Sequence, residues 1–323
     1  MLHQNANSPS ASKIKAPRNK TLTLHHTEEN DFRRRLRAVS SKVRLTEIVN
    51  TTILGNMIEV VPYLPNNFVD LLFLDPPYNL NKSFNGRKFS YRTSDEYESL
   101  LDNWVGPLVR LLKQTASVYI CADWRSAGAL YNVCSKYLKI QNRITWEREK
   151  GRGAKANWKN CAEDIWYCTV SNEFTFNSGD VKVRRTVIAP YRHVNGSPKD
   201  WSKDSNGSYR DTYPSNIWTD ITIPFWSMPE NTEHPTQKPE KLLAKIILAS
   251  SNENNIVLDP FLGSGTTSVV AKKLGRGYVG IERELDYCLL AEKRLKLAES
   301  EKRIQGFEKG VFWERNSIKR QKK

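Results

Sequence analysis

Residues 69–74, Val-Asp-Leu-Leu-Phe-Leu, run directly into Asp75-Pro76-Pro77-Tyr78. An apolar run of this kind predicts a strand buried on both faces. Proline has no amide hydrogen to give a central ladder, so two prolines force the chain to turn where the strand ends. Asp75 and Tyr78 are then left at a strand's carboxyl edge, where open α/β sheets bind ligands. The competing reading is a plain strand-ending turn.

The rest of the chain supplies neighbours for such a strand. Residues 51–55, 116–122, 139–146, 162–170, 255–259 and 277–282 read as further strands. Residues 56–63, 94–113, 125–138, 239–251, 266–275 and 284–302 read as helices between them. A Ser-x-x-Glu capping signal near Ser94 is displaced by one residue, which leaves that helix start open. The alternation predicts an α/β fold: a mostly parallel, doubly wound sheet with helices on both faces. It lapses over residues 178–233, which are rich in Pro, Ser, Asn, Asp, Trp and Tyr. That stretch is too long for a connector and reads as an inserted recognition region. The units are therefore a basic arm at 1–45, with a helix expected within 31–43, a first half-domain at 46–177, the insert at 178–233, a second half-domain at 234–299 and a basic tail at 300–323.

Charge distribution supports a nucleic-acid partner. The net charge of +15 is concentrated at the ends, +7 in residues 1–45 and +5 in residues 300–323. Basic ends attract phosphate by counterion release, although solvated ends that aid solubility would look the same. No apolar stretch reaches the roughly 18 residues of a membrane helix, and the first twenty residues lack the apolar segment of a secretion signal. The expected location is a bacterial cytoplasm, in association with the nucleoid. The five cysteines include no C-x-x-C and do not cluster with the five histidines, so no metal site is expected.

A second constellation lies at 255–284: strand, glycine loop, helix, strand, acid. Gly263 and Gly265 allow the backbone to approach a ligand closely. A helix from near Thr266 aims free amides at the same place. Glu282, at the end of the next strand, is positioned to accept from both hydroxyls of a ribose. The loop is not G-x-G-x-x-G, and its opening Asp259-Pro-Phe261 suits a cationic nucleoside ligand better than a pyrophosphate.

Asp-Pro-Pro-Tyr at 75–78, His-Pro-Thr-Gln-Lys-Pro at 234–239 and Asp-Pro-Phe-Leu-Gly-Ser-Gly-Thr-Thr at 259–267 together resemble the DNA amino-methyltransferases. Catalytic motif first and cofactor motif last, with the recognition region between them, is similar to the beta group of that family. The resemblance covers residues 46–297. It implies a seven-stranded, Rossmann-like methyltransferase sheet in circularly rearranged order, with S-adenosylmethionine as cofactor. It implies Asp75, Pro76, Pro77 and Tyr78 as the catalytic loop, with Tyr78 stacked on a flipped base. Asp75 and the Pro76 carbonyl would accept the two amino hydrogens, freeing the nitrogen lone pair. It further implies Asp259, Phe261, Gly263, Ser264, Gly265 and Thr266 around the cofactor, Glu282 on its ribose and Asn56 at its adenine. Lys238 would pair with the methionine carboxylate, assisted by Thr236 or Gln237; an exposed lysine at a helix start is the other reading.

Duplex DNA is the expected partner. Lys82, Arg87 and Lys88 in one loop, and Arg152, Lys155, Trp158 and Lys159 in another, are candidate DNA contacts. Arg184 and Arg185 are candidates in the insert. Trp158 is read equally well as a packed core aromatic. Asp at the first motif position accompanies adenine in the family, so adenine N6 is the expected target. Cytosine N4 is the near alternative, RNA amino-methylation a remoter one. A nucleotide-binding oxidoreductase and a non-enzymatic DNA-binding protein are the rivals from other classes. The resemblance also suggests a homodimer and a cognate restriction endonuclease.

Overall fold

The computed structural model describes residues 16–80, 82–84, 87–148, 156–188, 191–205 and 207–314. Its main sheet runs in the order Thr51–Leu54, Gly277–Glu282, Ile256–Asp259, Val69–Leu74, Leu112–Ala122, Ala162–Thr169, Lys139–Glu147, Ile217–Trp218. The first five strands are mutually parallel. Ala162–Thr169 is antiparallel to both its neighbours. Seven strands match the expected sheet. The eighth, Ile217–Trp218, is a two-residue strand from the insert that pairs parallel to Lys139–Glu147.

The strand Val69–Leu74 shows why its sequence is uniformly apolar. Successive side chains point to opposite faces. Leu72 and Leu74 join one core with Tyr97, Leu101, Val105 and Leu108 of the helix Ser94–Val109. Leu71 and Phe73 join the other core, with Leu243, Ile246 and Ile247 of the helix Glu240–Ser250 and Val269 and Val270 of the helix Thr266–Lys273. The cap of helix Ser94–Val109 is Thr93, one residue before the displaced signal. Thr93 Oγ1 accepts from the Glu96 amide at 3.3 Å, and the Thr93 amide donates to Glu96 Oε2 at 2.9 Å. Thr93 and Glu96 have the three-residue spacing that a capping box needs; Ser94 does not.

A second sheet is ordered Phe307–Glu308, Val311–Trp313, Val183–Thr186, Gly207–Thr212, Ser202–Asp204. It takes in residues 307–313 of the stretch read as a basic tail; residues 315–323 lie outside the described residues. Phe307–Glu308 and Val311–Trp313 form a tight hairpin: Phe312 is fully buried and Val311 nearly so, and Gly306 and Gly310 adopt φ of +79° and +73° at the bends. The insert and the C-terminal segment therefore form one subdomain. It is tied to the main core by Asp220, which lies 2.7 Å from Lys241 Nζ and 2.8 Å from Lys245 Nζ. Against the upward push of burial, those two lysines hold the Asp220 carboxyl below its ordinary value.

The N-terminal arm is also docked. Its helix is His26–Arg33, earlier than expected, with Phe32 buried. The Lys20 amide donates to the Trp226 carbonyl at 2.6 Å and the Leu22 amide to the Asn231 carbonyl at 2.8 Å. Among the described residues, no helix is long and apolar enough to cross a membrane.

Candidate active site

Asp75 follows the last residue of Val69–Leu74, at the carboxyl edge of the parallel strands. The turn behind it is pinned from outside. Tyr97 Oη donates to the Pro77 carbonyl at 3.1 Å, and the Asn79 side chain makes two hydrogen bonds to the Arg92 backbone at 2.9 and 2.8 Å. Pro76 is buried. Two ring-locked φ angles and these staples give the loop little freedom.

The side chains at this end form a crossed set of charges. Tyr78 Oη lies 3.1 Å from Asp75 Oδ1 and 3.2 Å from Glu163 Oε2. Lys238 Nζ lies 2.5 Å from Asp75 Oδ2, 3.4 Å from Tyr78 Oη and 3.5 Å from Glu163 Oε2. Arg148 pairs with the other oxygen of Glu163. Burial, reinforced by Asp75, pushes the Tyr78 hydroxyl well above its ordinary pKa, so it stays a donor. Lys238 stands just before the helix Glu240–Ser250 but is buried against Asp75, which excludes the reading of it as an exposed lysine. The Tyr78 hydroxyl is lodged between two carboxylates.

The glycine loop is adjacent. Val257 and Leu258 pair with Leu71 and Leu72, so Asp259 leaves the sheet beside the catalytic strand. Asp259 Oδ1 accepts from the Phe261 amide at 3.0 Å and Oδ2 from Thr267 Oγ1 at 2.6 Å. Burial pushes its carboxyl up to about 7; those hydrogen bonds oppose the shift, and Asp75 and Glu282 add to it. Glu282 accepts from the Gly263 amide at 2.8 Å and the Glu284 amide at 2.9 Å, and burial raises its carboxyl too. Asp75 and Glu282, from two distant segments, are thus both close enough to raise the Asp259 carboxyl, and a cluster of acids favours a bound cation.

Gly263 and Gly265 have φ of +54° and +84°, conformations that L side chains rarely adopt. A Cβ on Gly265 would sit 2.6 Å from Ala291 Cβ, and one on Gly263 would sit 2.9 Å from His234 Nε2. His234 belongs to the 234–239 motif, so that motif lies against the glycine loop at one end and reaches Asp75 at the other. Gln237 fixes it by accepting from Thr232 Oγ1 at 2.6 Å and donating to the Glu230 carbonyl at 2.7 Å. Thr236 is partly exposed in the same loop. Phe261 packs edge-on against Trp104, ring centroids 5.3 Å apart.

Ser264 and Thr266 turn inward instead of towards the crevice. Arg294 Nη1 donates to the Ser264 carbonyl and to Thr266 Oγ1, both at 2.9 Å, and Arg294 Nη2 reaches Glu240 Oε1 at 3.1 Å. Asn56 caps the short helix Met57–Val60, accepting from the Ile58 amide at 3.2 Å. It stays close to Glu282, whose carbonyl accepts from the Gly55 amide at 2.9 Å.

The candidate DNA contacts divide. Lys82, Arg87 and Lys88 fall on the two-stranded hairpin Lys82–Phe84 and Arg87–Phe89, directly after the proline turn. Arg152 and Lys155 lie outside the described residues. Trp158 is 94% exposed and Lys159 is exposed, which excludes the packed-core reading of Trp158. Arg184 makes two 2.7 Å hydrogen bonds to Asp211 and lies 4.0 Å from the Tyr209 ring centre, so its guanidinium braces the second sheet. Arg185 is half-exposed, 3.6 Å from Glu314.

Sequence reasoning missed Glu163, Arg148, Tyr97 and Arg294. Glu163 had one legible signal: with Asp164 it opens a strand segment that is mostly apolar, and a buried charge there needs a partner. Nothing local identifies that partner.

A mostly parallel sheet with one antiparallel strand, and with an acid turn and a glycine loop side by side at the carboxyl edge of its parallel strands, defines a methyltransferase-type α/β protein. Comparison with known proteins narrows this. The family model described as DNA methylase matches residues 69–293, and the chain belongs to that family. It is 32% identical over 274 residues to DNA adenine methyltransferase YhdJ of Escherichia coli K12, covering 81% of this chain and 88% of that one. It is 33% identical over 246 residues to type II methyltransferase M.HpaI of Haemophilus parainfluenzae, covering 75% and 73%. Among solved structures, the M1.HpyAVI–SAM complex aligns with TM-score 0.54 at 23% identity, covering 76% of this chain and 98% of that one. The cytosine-N4-specific PvuII DNA methyltransferase aligns with TM-score 0.55 at 14% identity, covering 81% and 92%. These two support the fold.

Proposed function

We propose that this chain is a site-specific DNA methyltransferase that transfers a methyl group from S-adenosylmethionine to N6 of a flipped-out adenine. The observation that carries the reading is the placement of Asp75 and the Asp259–Glu282 loop on neighbouring strand ends, in mutual electrostatic reach. The cofactor supplies an electrophilic methyl on a cationic sulfur. Asp259 and Glu282 make its surroundings negative. Glu282 is the acceptor for ribose hydroxyls, with Asn56 beside it for the adenine edge. Phe261, Gly263 and Gly265 line the methionine end.

An exocyclic amine is a weak nucleophile because its lone pair is delocalised into the ring. Asp75 and the Pro76 carbonyl, held at fixed angles by the turn, accept its two hydrogens and draw the nitrogen towards tetrahedral geometry. The base reaches them only if it leaves the helix, at a cost of a few kcal/mol. The Tyr78 ring is the surface on which it stacks. The hairpin at 82–89, Trp158 and Lys159, and the second sheet with Arg185 form the DNA side. Adenine is favoured by Asp75 at the head of the motif and by the likeness to YhdJ. The same family reading includes a nucleoid-associated cytoplasmic enzyme, a homodimer and a cognate endonuclease.

The test is incubation with duplex DNA and cofactor labelled in its methyl group, followed by digestion to nucleosides. Label in N6-methyladenine is expected. Label solely in N4-methylcytosine replaces the base assignment, and label in RNA but not DNA overturns the reading.

A further inference from the structure

The Asp75 carboxylate is already engaged within the protein. One oxygen takes the Tyr78 hydroxyl at 3.1 Å and the other takes Lys238 Nζ at 2.5 Å. A carboxylate has further lone pairs, so the amine is not sterically refused. A cation at that distance, however, neutralises the charge that makes Asp75 a strong acceptor. For Asp75 to polarise an amine, Lys238 must be drawn elsewhere, and the Tyr78 hydroxyl with it.

We infer that Glu163 is a positioning residue, the alternative acceptor onto which Lys238 and the Tyr78 hydroxyl move when the target base arrives. The inference rests on the reading of Asp75 as the amine's acceptor. Glu163 Oε2 is already 3.5 Å from Lys238 Nζ and 3.2 Å from Tyr78 Oη, so both donors reach it with small rotations. Its side chain is only 4% exposed, which keeps water from screening the attraction. Arg148 holds the other oxygen, so Glu163 is fixed in place. Glu163 pairs with Trp146 on the edge-side strand, whereas Asp75 ends a central strand. The acceptor therefore stands on a separate element and need not move with the catalytic turn. No proton changes owner; two donors exchange one carboxylate for another.

The experiment is single-turnover methyl transfer at saturating cofactor, with cofactor binding measured by calorimetry. Glu163→Gln is expected to lower the transfer rate by about ten- to a hundredfold, the cost of a misplaced reacting group, and to leave cofactor affinity within about twofold. With Lys238→Met already present there is no cation to park, and adding Glu163→Gln is expected to cost less than about threefold. An equal cost in both backgrounds, or a parallel loss of cofactor affinity, overturns the inference. If Glu163→Gln fails to fold, Glu163→Asp keeps the charge with a shorter reach, and its cost must likewise disappear with Lys238→Met. Full activity in Asp75→Asn is a different outcome: it removes the reading beneath and identifies that as the failure.

Discussion

At the glycine loop, Asp259 takes its hydrogen bonds from residues two and eight positions away, and Glu282 from residues nineteen and two positions away. At the proline turn, Asp75 is met by Lys238 from 163 positions away, and Glu163 by Tyr78 from 85. The first region closes on itself through backbone amides and a short-range hydroxyl. The second is assembled from three strand ends and a distant loop. Local closure gives a rigid cradle, suited to holding a ligand in one pose. Crossed long-range charges give a set of partners that can be exchanged, suited to a step in which an acceptor must become available.

The largest expected effect tests that division of labour. Asp75→Asn keeps the shape of the turn and removes the charged acceptor. Methyl transfer should fall by about a thousandfold, in the range for losing one preorganised transition-state contact, while cofactor affinity changes little. Loss of both together would show that the two regions act as one cradle.

Gly265→Ala examines the other side. The new methyl would clash with Ala291 in a backbone conformation that alanine resists. A destabilisation of about 1–3 kcal/mol is expected in chemical unfolding, with cofactor affinity reduced in step. Unchanged affinity would mean that the loop's shape is not what holds the ligand.

The smallest effect is a pH dependence. The folded Asp259 carboxyl titrates at about 7, above its unfolded value. Its contribution to stability is therefore complete at acid pH and is lost as pH rises through 7. A bound cation favours the ionised form, so cofactor affinity should rise as pH rises through the same range, by about tenfold between pH 6 and pH 8. Asp259→Asn should flatten both profiles. A profile that survives this change would place the titration elsewhere, with Glu230 the next group to test, since burial raises it into the same range.

The same contrast explains what could be read from sequence. The sheet was legible because Val69–Leu74 and its parallel neighbours are apolar on both faces, and helical spacing marks what covers them. The glycine loop was legible because its acid, glycines and second acid lie within one strand–helix–strand unit. The inward turn of Ser264 and Thr266 was not legible, because Arg294, which holds them, comes from a later helix. The C-terminal strands were hidden by their charged flanks, although Val311 and Phe312 carried the apolar signal. Glu163 could be suspected as a buried acid, but its partners Tyr78, Lys238 and Arg148 are fixed only by the packed fold.

The most direct measurement is a crystal structure with a non-reactive analogue of S-adenosylmethionine that carries an amine in place of the sulfonium. Two motifs that share one ligand predict density touching Glu282 and the Gly263 backbone, with the amine directed towards Asp75. An analogue seated on the glycine loop but pointing away from Asp75, or bound elsewhere, would contradict the account.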